Sequence, residues 1–317
     1  MAGKALGRGL IVPRPLRPGD RVRVIAVSSP FDRALFFRGV GFLAERYRVE
    51  MAPGILTQRG FLAGSDEQRL EALDEALADP DIGAVIAARG GYGALRIAHR
   101  AGWSKLVSAP KWIVGFSDVT SLHVEAQRHG VCSLHADNAG GLGRGDFHAR
   151  ARFVAALEAP TSERCFSALR TIVPGKVEGP LVGGNLTVLF SAHAAGRLRL
   201  PPGCVLFLED VQEASYRIDR MLSALLVAGA LDPVAGVVLG DFTDCSPRPH
   251  GVTVEEVLRE RLGVLGVPAA AGLPAGHGPI NHPLTLGLSA LLDAAAGTLR
   301  VGGRQGLEPA ESPAQHH

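Results

Sequence analysis

Three short stretches, far apart in a chain of 317 residues, supply a hydroxyl, a carboxylate and an imidazole in an order that hydrolases use. GFSD at Gly115–Asp118 carries Ser117, LFLED at Leu206–Asp210 carries Glu209, and PAGHGP at Pro274–Pro279 carries His277. Each follows an apolar, strand-like run (KWIV, CVLF and VPAAAG), so the three side chains are expected where strands end and loops begin. Open α/β sheets place their chemistry there. A serine activated by a histidine that an acid orients performs acyl transfer through a covalent intermediate, which makes peptide or amide hydrolysis the reaction these residues fit.

Ser117 falls at a strand-to-helix turn, with a helix expected from about Asp118. Such a turn exposes the hydroxyl and aims neighbouring backbone N–H groups outward, which suits both attack and oxyanion binding. The G-x-S-x-G elbow is only half met, because Val119 stands where the second glycine belongs, and a serine here also reads as a helix cap. Glu209 closes an apolar strand and could orient the histidine, with Asp210, Glu213 and Asp219 as competitors. Asp219, within YRIDR, reads as an ion-pair partner of Arg217 or Arg220. Strand alternation puts Glu209 and Asp210 on opposite faces, and the residues alone leave that choice open.

His277 is held among glycines and prolines that exclude helix and fix the loop, as a general base requires. His123 and His129 read as solvated or locally satisfied, while His135 and His282 lie near turns and are rivals. No HExxH-type spacing occurs, so no catalytic metal is expected. RGGYG at Arg89–Gly93 lacks both GxGxxG and a Walker lysine. Its better use is a backbone N–H from Gly90 or Gly91, donated to an oxyanion beside that of Asp118. Arg89 could fork onto a substrate carboxylate, and Tyr92 belongs to the same substrate-facing turn.

The elements that must position these groups follow a strand, turn, helix grammar. VRVIAVSSP is a strand leading to a helix within Asp32–Tyr47, Ser65 and Gln68 form a capping box for a helix ending before Asp79, and Ile82–Ala88 is a buried strand. A short helix begins near Ala94, and the helix after Ser117 closes at Gly130. The alternation predicts an α/β fold with a mostly parallel sheet. Weak patterning places a linker at residues 151–178, between an N-terminal domain at 1–150 and a C-terminal domain at 179–317. In the second domain GGN reads as a glycine turn opening a helix. CVLFLED and VAGVVLGDF read as strands, Ser215–Val227 and Val254–Leu262 as helices, and LTLGLSALLDAAAGTLRVGG as two strands joined near Ala294–Gly297.

Hydrophobic residues make up 46% and charged residues 20%, enough for large packed cores, and a net charge of +2 with mixed signs gives no footprint for nucleic acid or a membrane surface. Four cysteines without a CxxC pair exclude a zinc knuckle or disulfide framework and fit a reduced, cytoplasmic setting. The N-terminal stretch has no apolar core of signal-peptide length, no run is long enough to span a membrane, and the polar tail ending in two histidines reads as frayed.

Read in order, LRPGDRVRVIAVSSP, RGGYGALRI, VGFSDVTSLH, GPLVGGNLTVL, LFLEDVQEASYRIDRML and LPAGHG resemble the LD-carboxypeptidases, or muramoyltetrapeptide carboxypeptidases, together with the related microcin C immunity peptidases. The resemblance spans nearly the whole chain. It implies Ser117 as nucleophile, His277 as general base and acid, and Glu209 rather than Asp210 as third member, with Asp118 and a glycine of RGGYG as oxyanion donors. It also implies a flavodoxin-like N-terminal domain, a swivelling β/α C-terminal domain, a site between them, a homodimer and no cofactor. The implied substrate is a murein tetrapeptide that loses its terminal D-alanine at an L-to-D bond during wall recycling. The alternatives are an amidase acting on peptidyl- or aminoacyl-nucleotides and a non-catalytic protein that holds a ligand in the cleft. After His135 the family often has Gly-Pro, whereas Ala136–Asp137–Asn138 stand here, a departure that bears on substrate detail.

Overall fold

The computed structural model describes residues 10–247 and 251–303; the N-terminal stretch to Gly9 and the polar tail from Arg304 lie outside them. Five strands alternate with helices in the first half: β1 (Arg21–Ile25), β2 (Arg48–Met51), β3 (Ile82–Ala87), β4 (Trp112–Gly115) and β5 (Ser133–His135). All pair in parallel in the order β2-β1-β3-β4-β5. β3 and β4 are buried at every residue, as strands covered on both faces must be. The helices begin where their caps dictate. Asp32 accepts from Leu35 N to open Arg33–Ala44, and the Ser65–Gln68 capping box opens Asp66–Ala78.

Among the described residues the second half holds nine strands, eight of which form a mixed sheet. These are β6 (Arg164–Phe166), β7 (Arg170–Val173), β8 (Lys176–Asn185), β9 (Cys204–Val211), β10 (Val234–Thr243) and β11 (Ala269–Ala271), then β12 (Leu284–Leu286), which leaves for the first sheet, β13 (Ser289–Asp293) and β14 (Thr298–Val301). β8 to β11 run parallel at the centre, and β7, β13, β14 and β6 add antiparallel flanks. The chain is thus an α/β protein of two domains, the first mostly parallel and the second mixed. Residues 151–178 hold the end of helix Phe147–Glu158 and strands β6 and β7, which pair into the second sheet.

Three strands, not the expected two, follow the His277 loop, because Gly287 at φ 101° breaks the run and separates β12 from β13. β12 pairs antiparallel with β5, Leu284 opposite His135. The His277 segment is therefore strung from β11 in one sheet to β12 in the other. GGN is likewise not a turn: Gly183 and Gly184 lie in β8, opposite Phe207 and Leu208 of β9. Among the described residues no helix is long and apolar enough to cross a membrane.

Two features of the first domain expose its packing to test. Helix Arg33–Ala44 meets helix Ala139–Arg144 backbone to backbone, and a Cβ on Gly39 would stand 1.8 Å from the Ala139 carbonyl oxygen. Gly41 on the same helix has open space around it. Second, His123 and His135 lie inside the protein at 2% and 0% exposure. His123 Nε2 donates to the Gly115 carbonyl at 2.9 Å, and burial pushes the two imidazoles down to about 4 and about 3.

Gly39→Val should lower the unfolding free energy in urea by about 3 kcal/mol or more through overpacking, whereas Gly41→Ala should raise it by roughly 0.5–1 kcal/mol through helix propensity. Equal effects of the two would contradict the close helix crossing. For the histidines the unfolded chain, titrating near 6.5, takes up protons before the folded one does, so stability falls as pH drops from about 6.5 towards 4. The cost is about 2 kcal/mol for each histidine at pH 5, and His123→Gln should flatten the slope. Unfolding free energies that stay level between pH 7 and 5 would exclude buried neutral imidazoles.

Candidate active site

The loops after β1, β3 and β4 converge at the carboxyl edge of the first sheet, where the strand order reverses between β1 and β3 and leaves a crevice. Ser117 stands there, half-buried, at φ 65° in a single 3₁₀ turn before helix Thr120–Arg128. A non-glycine residue in the left-handed region costs about 1–3 kcal/mol, and such strain collects at functional sites. Gly90 of RGGYG packs directly on it: a Cβ at Gly90 would lie 2.8 Å from Ser117 Cβ and 3.1 Å from its Oγ. The glycine backbone thus approaches the hydroxyl as no other residue could.

Hydrogen bonds from the β1 loop hold this arrangement. Ser29 Oγ accepts from Tyr92 N at 3.1 Å, and Ser29 N donates to the Gly90 carbonyl at 3.3 Å. The buried Asp118 carboxylate accepts from Ser28 Oγ at 2.7 Å and from Ala94 N at 2.8 Å, tying the serine turn to the end of the glycine loop; burial raises its pKa. Buried Arg69 donates to the Gly93 carbonyl at 2.9 Å and also reaches the Val27 carbonyl and Asp66. Arg89 is exposed and donates to the Pro30 carbonyl, while exposed Tyr92 places its ring 5.7 Å from that of exposed Phe61, an aromatic lip beside the crevice.

From the second sheet, the fully buried Glu209 at the end of β9 receives His277 Nδ1 at 2.6 Å on Oε2. A carboxylate accepting at Nδ1 assigns the proton to that nitrogen and leaves Nε2 free as the basic one. Burial raises the Glu209 pKa, opposed by His277. Gly276 makes the contact possible, since a Cβ there would come within 2.8 Å of Glu209 Oε2. Its N–H donates to Asn281 Oδ1 at 3.0 Å, and Asn281 Nδ2 reaches Asp137 Oδ1 across the sheets at 3.3 Å. The Phe116 ring lies 4.8 Å from the His277 ring, so the residue preceding Ser117 touches the histidine.

Asp210 faces the other way. It accepts from Asn185 Nδ2 at 3.0 Å, Thr187 N at 2.9 Å and Thr187 Oγ1 at 2.8 Å, engaged at the start of helix Leu186–Ala194. Of the other histidines, His129 bonds the Glu125 carbonyl through Nδ1 at 2.8 Å, His123 is buried rather than solvated, and His282 stacks edge-on to Phe166 at 5.5 Å. Asp219 pairs with Arg261 of helix Val254–Leu265 at 3.1 Å, not with Arg217, which reaches Glu213 at 3.6 Å; tertiary packing overrides the helical neighbour. Sequence reading missed Ser28, Ser29, Arg69 and Asn281. Only the paired serines ending the β1 run carried any local signal. Among the described residues no group of three or more His, Cys, Asp or Glu side chains could hold a metal ion.

Comparison with known proteins accords with the two-domain fold. Residues 22–136 match the model of the LD-carboxypeptidase N-terminal domain and residues 178–292 that of the LD-carboxypeptidase C-terminal domain. A putative carboxypeptidase of Synechocystis sp. is 38% identical over 93% of this chain and 98% of its own. The murein tetrapeptide carboxypeptidase of Pseudomonas aeruginosa is 36% identical over 74% of this chain and 80% of its own. The crystal structure of muramoyltetrapeptide carboxypeptidase from Oxalobacter formigenes superposes with a TM-score of 0.80 at 30% identity, covering 89% of this chain and 99% of that one. The two-domain fold and these similarities together show that the chain belongs to the LD-carboxypeptidase family of serine hydrolases.

Proposed function

We propose that the protein is a serine LD-carboxypeptidase that releases terminal D-alanine from a murein tetrapeptide. The observation that carries the reading is the 2.6 Å His277–Glu209 bond beside the strained Ser117 turn. The 36% identity to a murein tetrapeptide carboxypeptidase supports the choice of substrate. In this reading the domain of residues 1–150 brings the nucleophile and that of residues 179–317 the acid and base, with 151–178 between them. The enzyme works in the cytoplasm as a homodimer.

The steps follow from the side chains. Ser117 Oγ attacks the scissile carbonyl carbon while His277 Nε2 takes its proton, and the buried Glu209 carboxylate stabilises the imidazolium that forms. The negative charge on the carbonyl oxygen is met by backbone N–H groups of Asp118 and of Gly90 or Gly91. Collapse of the adduct breaks the C–N bond, and His277 returns the proton to the leaving D-alanine amine. Water then attacks the acyl-serine, His277 takes a proton from it, and Ser117 regains its own as the shortened peptide leaves. Arg89 and Tyr92 line the substrate side, where a guanidinium can fork onto the terminal carboxylate.

Purified wild type incubated with a murein tetrapeptide ending in D-alanine should release that residue, followed by mass spectrometry. Ser117→Ala should lose activity by several orders of magnitude and Glu209→Gln by about 10⁴ in turnover, both remaining folded. Release by Ser117→Ala would remove the nucleophile assignment, and cleavage by wild type of an aminoacyl-nucleotide amide alone would replace the substrate. Gly276→Ala should cut kcat about 10²-fold or more with little change in KM, because the added methyl separates Glu209 from His277. Full activity in that variant would show that the pair is not used.

A further inference from the structure

Behind the base of the His277 loop, away from Ser117, lies a second cavity of about 440 Å³. Its walls include Arg152 from helix Phe147–Glu158, Arg164 and Phe166 of β6, and Pro274, His282 and Pro283 of the loop. This volume is in the range of small-molecule sites. Within the loop, His282 N donates to the Pro274 carbonyl at 2.9 Å.

The cavity gathers positive charge, and among the described residues Arg164 forms no ion pair. Arg164 is half-buried, yet among the described residues its guanidinium finds only the Pro160 and Ala159 carbonyls and Thr285 Oγ1, each at 3.4 Å, and burial lowers its pKa. Arg152 Nε is buried with no hydrogen-bond partner among the described residues. His282 lines the same cavity, and burial, with Arg152 and Arg164 nearby, lowers its pKa. Of the neighbouring carboxylates, Glu158 pairs with Arg46 and Glu163 with Arg300, while Asp137 faces both Arg152 and Arg144 and accepts from Asn281, one carboxylate between two guanidinium groups. Guanidinium groups removed from water need an anion, and their planar forks fit carboxylate or phosphate oxygens.

We infer that this cavity is a binding site for a small oxyanion, a carboxylate or phosphate group held between Arg152 and Arg164 with His282 as third donor. The site is separate from the catalytic residues, and its occupant touches the same loop that carries His277, five residues from His282.

Calorimetric titration of the whole protein at low ionic strength with inorganic phosphate, and separately with succinate, tests this and tells the two oxyanion sources apart. Either probe should bind wild type with a Kd below about 10 mM, and Arg164→Met or Arg152→Met should weaken it at least about tenfold. Ser117→Ala should bind as wild type does, which keeps the result independent of the catalytic reading. Thermal melting guards against misfolding. The probe should raise the wild-type midpoint but not that of Arg164→Met, and without probe Arg164→Met should melt no lower than wild type, since an uncompensated charge has been removed. Failure of both probes to bind wild type, or unchanged binding in the Arg152→Met/Arg164→Met double variant, would overturn the inference. So would a wild-type dimer that Arg164→Met dissociates, because a second copy would then supply the counter-charge.

Discussion

Everything at the site depends on one polar junction between the two sheets. Thr120, three residues after Ser117, accepts the backbone N–H of Asn185 on its Oγ1 at 3.1 Å, and Asn185 sits in register beside Glu209 on the neighbouring strand. The Asn185 side chain caps helix Leu186–Ala194 through Val188 N and donates to Asp210. Further along the helix that Thr120 opens, buried Glu125 receives Arg197 through both carboxylate oxygens at 2.7 Å. A hydroxyl from one sheet and an imidazole from another serve one reaction only if their relative placement is held to about half an ångström. These bonds fix it by linking the first turn of the serine helix to the strand ends that carry Asn185 and Glu209.

The same logic explains why the backbone at Ser117 is strained and the carboxyl of Glu209 is buried. Ser117 keeps its left-handed conformation because neighbours over-determine it: Asp118 is anchored on two sides, the Gly115 carbonyl is held by His123, and Val119 is wholly buried. Glu209 keeps a carboxyl in the interior because one oxygen is bonded to His277. Removing either partner leaves an isolated polar group in a low-dielectric setting, where it is most costly. The placement of Glu209, His277 and Ser117 is therefore a product of packing as much as of local sequence.

Much of this was legible in the sequence where a local rule governs. The Ser65–Gln68 box, the Ser215–Val227 helix and the strand ahead of Ser117 each satisfy their own propensities, and the structure places them as read. The readings that missed depend on partners distant in the chain. GGN looked like a turn because glycine usually marks one, yet Gly183 is glycine because a Cβ would stand 2.0 Å from the Phe207 carbonyl oxygen of the adjacent strand. Asp219 was matched to helical neighbours, but Arg261 arrives from another helix. The choice between Glu209 and Asp210 turned on which face met His277 and which met Thr187, and alternation alone cannot orient a strand. Strands of three or four residues, such as β6 and β12, are too short to show a period.

The return of β12 to the first sheet also constrains how the protein is made. Ser133–His135 forms an edge once the first 150 residues leave the ribosome, and its last partner is encoded some 150 residues later, at Leu284–Leu286. During that interval a strand with three buried residues presents unpaired backbone groups to whatever is near. The final docking closes a very long loop and belongs to the slow class of folding events, those dominated by distant contacts. In the same movement it draws the His277 segment across to the serine. The nascent chain thus brings Ser117 and His277 together only after Leu284–Leu286 has emerged, and a product truncated before that strand holds the serine turn without the histidine loop docked beside it.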